Sequence, residues 1–362
     1  MPPVTLDVES ATGRYAVLIG DALASRLGRL LEDQGIGGHR FILTNPVVWR
    51  FHGDTIARAL PDATVVQVPD GERHKHLATV ARIYEALVRG EADRDSTVVA
   101  AGGGVIGDMA GFAAATYLRG IRLVHLPTTL LAQVDASIGG KVGVNLAAGK
   151  NLVGAFYPPR LVITDPALLR TLPRREFRAG LYEVIKYGVA CDANLFTRLQ
   201  RDVAGITDQR PEVLVPVIAE CCRIKAGVVT ADERESGPRR VLNFGHTAGH
   251  ALETLTGYRR FRHGEAVGWG MLVAAEVAAA RGMLAASELA AVRSLIMQLG
   301  PLPPVADIAA PQMLHAMRRD KKVAEGRLHF VLPSGIGAAA IVSDVSAREL
   351  GAALERVGFR AG

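Results

Sequence analysis

The sequence predicts two folds in one chain: an α/β domain built on a mostly parallel sheet, then a mainly α-helical domain, with the ligand site in the cleft between them. Three observations predict it. In the first half, short β-branched runs alternate with helix-length segments, the pattern of a parallel sheet covered by helices. One run leads into Gly102-Gly103-Gly104-Val105-Ile106-Gly107-Asp108, a glycine turn of the strand-to-helix kind. After about Thr171 the texture changes, and from Glu176 to about Arg281 the apolar spacing is helical. The predicted boundaries are 1–172 for a Rossmann-like domain and 173–362 for the mainly helical one.

Taken in order, the predicted strands are residues 15–19, 40–44, 64–68, 97–101, 122–126 and 161–164, each a short apolar run bounded by polar residues or glycine. In such a sheet, ligands bind at the carboxyl ends of the strands. The run ending at Ala101 is followed by Gly102, Gly104 and Gly107 at G-x-G-x-x-G spacing, where absent side chains let backbone N–H groups approach a pyrophosphate at a helix N-terminus. Asp108 is either a partner of the helix dipole or a ligand contact. The run ending at Leu126 leads into Pro127-Thr128-Thr129 and a polar, glycine-rich block with Lys141 and Lys150, whose ammonium groups suit a phosphate or carboxylate. A last β-like piece is predicted at 328–332.

Composition narrows the function classes. The chain has 362 residues, 49% of them hydrophobic and 22% charged, an ordinary globular balance with material for two cores. A net charge of +6 raises nucleic-acid binding, but the basic residues are scattered among acids and only 5% of residues are aromatic. Nucleic acid is therefore not expected. Cys191, Cys221 and Cys222 have no Cys-x-x-Cys spacing, which predicts buried thiols in a reducing compartment. With no basic-then-apolar leader at Met1–Asp7 and with charges interrupting the alanine-rich stretch 271–292, a cytoplasmic location without membrane contact is expected.

The densest chemistry lies at Leu242-Asn243-Phe244-Gly245-His246-Thr247-Ala248-Gly249-His250-Ala251-Leu252-Glu253, with His263-Gly264-Glu265 close behind. In a helix after Gly245, His246 and His250 share a face one turn apart, and Glu253 continues it. A catalytic divalent ion takes three His or carboxylate ligands and leaves a position open. His263 and Glu183 are available to complete such a set. Spacing alone does not say which of His250 and His263 is the ligand.

Together these blocks resemble the 3-dehydroquinate synthases of the sugar-phosphate cyclase family. The resemblance covers most of the chain. It rests on Asp70-Gly71-Glu72 with Lys75, the glycine turn, Pro127-Thr128-Thr129-Leu130-Leu131 with Asp135, and Lys150-Asn151. It continues through Tyr182-Glu183-Val184-Ile185-Lys186-Tyr187-Gly188, the 242–253 block, His263-Gly264-Glu265 and Asp320-Lys321-Lys322. It implies a homodimer that binds NAD and Zn²⁺ or Co²⁺ and closes 3-deoxy-D-arabino-heptulosonate 7-phosphate into 3-dehydroquinate with release of phosphate. NAD would oxidise the C5 hydroxyl transiently and return the hydride, with the metal as Lewis acid and template. The substrate's own phosphate can take the proton during elimination, so no strong protein base is required.

Carried over by position, the resemblance implies Glu183, His246 and His263 as metal ligands. His250 becomes the candidate for proton handling at the C5 hydroxyl, and Lys186 and Asn243 join it as catalytic positions. Lys186, one turn after Glu183, is otherwise an intrahelical ion pair. Substrate positions are Asp135, Lys141, Asn151, Lys186, Lys225, Arg239, Asn243, His250 and His263, with Arg119, Lys321 and Lys322. Of these, Lys225 and Arg239 suit a carboxylate. Lys141, Asn151, Arg119 and one of Lys321 and Lys322 match a phosphate set, Arg119 reaching across a subunit interface. The NAD positions are Asn45, Glu72, Lys75, Gly103, Gly104, Val105, Asp108, Thr128, Thr129, Leu131, Asp135, Lys150 and Asn151, and more loosely Thr171 and Glu176.

Two departures stand out. Thr44-Asn45-Pro46-Val47 replaces an Asp-x-Asn common among relatives, and Val47 cannot stand in for an amide. The interval between His246 and His263 is one residue longer than in some relatives, which places an insertion at 256–262. Competing readings are a metal-dependent polyol dehydrogenase, which would release NADH, a sister cyclase acting on another sugar phosphate, and a non-catalytic relative. Intact Lys225, Arg239 and Asn243 favour the dehydroquinate reaction.

Overall fold

The computed structural model describes residues 3–10, 13–235, 237–319, 323–324 and 327–362. The chain divides into two compact units, Met1–Pro173 with Leu214–Glu233, and Arg174–Val213 with Arg234–Gly362.

The first unit carries strands β1 (Val4–Ser10), β2 (Gly13–Ile19), β3 (Arg40–Thr44), β4 (Thr64–Gln67), β5 (Thr97–Gly102), β6 (Arg122–Pro127), β7 (Lys141–Leu146), β8 (Gly149–Phe156) and β9 (Leu161–Thr164). Its helices are α1 (Leu27–Asp33), α2 (Pro46–Ala59), α3 (Leu77–Arg89) and α4 (Gly104–Thr116). Seven strands form one sheet in the order β1-β2-β9-β6-β5-β3-β4. Only the β1–β2 pair is antiparallel. The six predicted strands are β2, β3, β4, β5, β6 and β9.

Alternation along each strand sends side chains to two separate cores. Leu43, Val98 and Ala100 join Val80 and Ile83 of α3 and Met109 of α4, while Ile42, Val99 and Val124 join Leu27 of α1 and Ile56 of α2. Because both faces are covered, the strands read as unbroken apolar runs, which is why they were legible. The polar, glycine-rich block after Thr129, for which no element was predicted, is one wide π-type turn (Ala132–Ala136) followed by the β7–β8 hairpin. Val142 and Val144 of β7 bury into the first of those cores.

The second unit contains α5 (Arg174–Ala190) and α6 (Ala193–Thr207), and the first turn of α7 (Pro211–Ala231), the rest of which belongs to the first unit. It continues with α8 (His246–Leu255), α9 (His263–Ala280), α10 (Ala286–Gln298), α11 (Ala310–Arg319) and α12 (Ala347–Val357). Small strand pairs are β10 (Val323–Ala324) with β11 (Arg327–Leu328), and β12 (Phe330–Pro333) with β13 (Ala339–Val342). Helix α9 is buried nearly all round from Gly264 to Ala278, as a central helix should be. Around it pack α5, α8, α10, α12 and β12. Among the described residues no helix is long and apolar enough to cross a membrane.

Candidate functional site

Three helices of the second unit deliver the metal-ligand candidates, and their starts are fixed by local chemistry. Helix α9 begins at His263 because Arg262 is extended and its N–H donates to Glu265 Oε2 at 2.8 Å. Arg175 of α5 grips the same carboxylate through Nε and Nη2, both at 2.7 Å. Close backbone approach then draws the helices together. A Cβ on Gly264 would stand 1.8 Å from the carbonyl oxygen of Ala179 in α5, so only glycine lets α9 cross there. Gly245, the N-cap of α8, has φ +79° and would place a Cβ 2.8 Å from Val267 O.

Among the described residues, two groups could hold an ion: Glu183, His246 and His263, and His250, Glu253 and His263. Outer contacts discriminate between them. His246 Nδ1 donates to the carbonyl of Phe244 at 3.1 Å, and His263 Nδ1 donates to Glu253 Oε2 at 3.1 Å. With both Nδ1 atoms protonated, both Nε2 atoms carry the lone pair, and each lies 3.6 Å from Glu183 Oε1. Ligand bonds of 2.0–2.2 Å in a tetrahedral site separate donors by about 3.4 Å. The residues fit a divalent ion.

Glu183 itself supports that assignment. It is fully buried, and neither carboxylate oxygen accepts a hydrogen bond among the described residues. Its Oε2 is in ion-pair contact with Lys186 Nζ, one turn along α5, so Oε1 is the oxygen turned to the imidazoles. The intrahelical ion pair considered from sequence is therefore present. Burial disfavours a charged His263, but the Glu253 hydrogen bond and the charges of Glu253 and Glu183 outweigh it, and the imidazole titrates above its ordinary value.

His250 sits on the same face of α8, with ring centroids 5.4 Å from His246 and 5.9 Å from His263. Lys186 is 1% exposed and lies 4.8 Å from the Tyr187 ring centroid. Arg239 is buried, and Asn243 Nδ2 donates to Glu235 Oε1 at 2.5 Å. Glu176, expected among the NAD positions, lies in the first turn of α5 and pairs with Arg262 at 2.6 Å. His246 and His263 converge on Glu183 across the 256–262 interval. Lys321 and Lys322 lie outside the described residues.

In the first unit, β5 ends at Gly102 and Gly103 caps α4, so the strand, glycine turn and helix follow as the sequence predicts. The first N–H groups of a helix lack intrahelical partners, and here Gly103, Gly104 and Val105 surround that end. Thr129 packs directly on Gly103, where a Cβ would meet its methyl at 3.0 Å. Thr128 N–H donates to Gly102 O at 3.0 Å, and Leu131 precedes the π-type turn that presents Asp135. Lys225 of α7 contacts Asp135 through both its carboxylate and its carbonyl.

A polar network joins several of the positions expected at NAD. Lys75 Nζ contacts Asp108 and donates to Asn151 Oδ1 at 2.5 Å. Asn145 Nδ2 donates to Glu72 Oε1 at 2.8 Å, a residue that the sequence did not single out. Burial pushes the Asp108 carboxyl up, against the pull of Lys75. Asn45 caps α2, accepting from Val48 N and donating to Asp70 Oδ1, both at 2.8 Å, so its amide is engaged in both senses. Val47 is 47% exposed. Thr171 Oγ1 bonds His52 Nε2 at 2.8 Å. Lys141 and Lys150 are exposed at the starts of β7 and β8, and Arg119 is exposed on the Leu118–Arg119 corner.

Comparison with known proteins places this arrangement. Residues 65–179 match the family model for the 3-dehydroquinate synthase N-terminal part, and residues 180–323 that for its C-terminal part. A 3-dehydroquinate synthase of Gloeobacter violaceus is 48% identical over 342 residues, 92% of this chain and 93% of that protein. Among solved structures, the 2-epi-5-epi-valiolone synthase ValA of Streptomyces hygroscopicus, with NAD⁺ and Zn²⁺ bound, is 31% identical with a TM-score of 0.85, covering 95% of this chain and 96% of its own. A 2-deoxy-scyllo-inosose synthase complexed with carbaglucose-6-phosphate, NAD⁺ and Co²⁺ is 28% identical with a TM-score of 0.85, covering 98% and 99%. With both halves matched and near-half identity along almost its whole length, the chain belongs to the 3-dehydroquinate synthase family.

Proposed function

We propose that this chain converts 3-deoxy-D-arabino-heptulosonate 7-phosphate to 3-dehydroquinate and phosphate, with NAD and a divalent ion, Zn²⁺ or Co²⁺, as resident cofactors. The reading rests on one observation above the others: a buried, hydrogen-bond-orphaned Glu183 oxygen stands 3.6 Å from two Nε2 atoms, in a chain 48% identical to a 3-dehydroquinate synthase. When bound, NAD supplies a hydride acceptor regenerated in each turnover and the ion a Lewis acid for the substrate hydroxyl.

The chain's own residues do the rest. Glu183, His246 and His263 hold the ion, while Glu253 and the Phe244 carbonyl hold the two imidazoles in the ligating tautomer. Lys186 balances the Glu183 charge in an environment that water does not screen. His250 accepts and returns the proton of the reacting hydroxyl. Arg239 and Lys225 bind the substrate carboxylate, Asn243 and Asp135 orient its hydroxyls, and Lys141, Asn151, Arg119 and one of Lys321 and Lys322 bind its phosphate. The turn from Gly103 to Asp108 holds the NAD pyrophosphate, supported by Thr128, Thr129, Leu131 and Lys150, with Glu72 and Lys75 at the adenosine ribose and Asn45, Thr171 and Glu176 beyond them. On this reading residues 1–172 supply nearly all the NAD positions and part of the phosphate set, and residues 173–362 supply the metal ligands and the remaining substrate positions.

The enzyme works as a homodimer in the cytoplasm. The dimer is supported by the family resemblance, which carries the Arg119 position across a subunit interface, and by the exposure of Leu118 and Arg119 at one corner. The compartment is supported by three free thiols. Substrate choice is tested by phosphate release from the carboxylated substrate beside a seven-carbon sugar phosphate lacking the carboxylate. Preference for the first is expected; equal or better use of the second would reassign the chain to a sister cyclase.

A further inference from the structure

The β7–β8 hairpin breaks its register at one place. Val144 pairs with Val153 and Leu146 pairs with Gly149, so a single residue of β7, Asn145, faces three of β8, Lys150, Asn151 and Leu152. Such a bulge leaves backbone groups without ladder partners and re-aims the side chains around it. Asn151 sits in the bulge at φ +52°, a left-handed conformation that asparagine tolerates better than most residues. Its N–H donates to Asn145 Oδ1 at 2.9 Å, a side chain standing in for the missing strand partner.

The same amide works in the other direction. Asn145 Nδ2 donates to Glu72 Oε1 at 2.8 Å, and Asn145 N–H donates to Lys75 O at 2.8 Å. One residue therefore ties the hairpin to the 72–75 turn at two points and closes the bulge at a third, and the residues it holds, Glu72, Lys75 and Asn151, are all positions proposed for NAD. Lys75 in turn spans Asp108 and Asn151. We propose that Asn145 is the positioning residue of the NAD site: it presents the Glu72 carboxylate and the Asn151 amide together through a β-bulge and touches no reacting atom. This inference rests on the reading of that site as an NAD site.

The chemistry restricts what can replace it. The position needs an acceptor for Asn151 N–H and a donor for a carboxylate on the same short side chain, which an amide provides and a carboxylate does not. Asn145→Asp keeps the shape and the acceptor but sets a second negative charge against Glu72. As pH falls, the two carboxyls share one proton and the hydrogen bond returns. The charged and titratable groups packed around this pair, Lys75, Asp108 and His76, which bridges to Asn145, are unchanged in the variant, so the wild type measured over the same pH range accounts for them.

The experiment is calorimetric NAD binding to the full-length, metal-loaded wild type, Asn145→Ala and Asn145→Asp between pH 5.5 and 8, with melting temperature and metal content measured on each. Asn145→Ala is expected to bind NAD roughly tenfold more weakly at every pH, and Asn145→Asp at least as weakly at pH 8 with most of the loss recovered at pH 5.5. Metal content should stay at the wild-type level. Wild-type affinity in both variants would overturn the proposal, and so would an Asn145→Asp deficit that does not change with pH. Should Asn145→Ala fail to fold, the near-isosteric Asn145→Asp carries the test alone. A wild type that binds no NAD would instead remove the cofactor reading on which the inference stands.

Discussion

His263 Nδ1 donates to Glu253 Oε2 at 3.1 Å, and that contact turns the opposite nitrogen, Nε2, to within 3.6 Å of Glu183 Oε1. That contact suits Glu253 to orient a ligand, as the proposed set of Glu183, His246 and His263 requires, and it sets this group apart from the alternative that would use Glu253 itself.

Glu253→Ala should therefore keep the ion but hold it loosely. Loss of such an outer partner typically costs 10–100-fold in metal affinity. Competition against a zinc chelator checks this, with Glu183→Ala as the control that loses the site outright. Undiminished affinity in Glu253→Ala would contradict the assigned tautomer of His263.

Arg239→Ala should impair substrate recognition alone. The side chain is buried, and removing a charged hydrogen-bond donor from a carboxylate costs about 1.5–3 kcal/mol, or roughly 10–100-fold in KM. NAD affinity and metal content should not change. Loss of metal in this variant would mean that the roles are wrongly distributed.

His125 makes a prediction about acid stability. It is buried in β6, and burial lowers its imidazole from 6.5 to about 4. Between those values the unfolded chain binds a proton that the folded chain does not, so the stability contribution is complete above pH 6.5 and lost as pH falls to about 4. The loss amounts to roughly 3 kcal/mol. Urea unfolding of His125→Gln beside the wild type should show the stability difference shifting towards the variant by that amount between pH 7 and pH 4. A difference independent of pH would show that the folded imidazole accepts the proton freely.

The parts of the molecule that were legible in the sequence are those where one rule acts over several residues. Strands buried on both faces and the turn from Gly102 to Asp108 declared themselves through runs and spacing. The β7–β8 hairpin did not. Its glycines and polar residues carry no strand alternation, yet Gly143 and Gly154 face each other across the ladder. The bulge opposite Asn145 is a register feature with no period to detect, so a single asparagine in a polar stretch gave no signal. The choice between His250 and His263 was likewise hidden, because it depends on where Glu183 of another helix points its oxygen. Family resemblance supplied that choice before the geometry supported it.

The central claim is that NAD is recycled within each turnover while phosphate leaves. Purified, metal-loaded protein is given 3-deoxy-D-arabino-heptulosonate 7-phosphate with sub-stoichiometric NAD, and phosphate release and NADH absorbance are followed together. Many phosphates released per NAD, with no accumulating NADH, is the predicted result. Phosphate retained, with NADH rising stoichiometrically on a simple polyol, would contradict the account and identify a dehydrogenase.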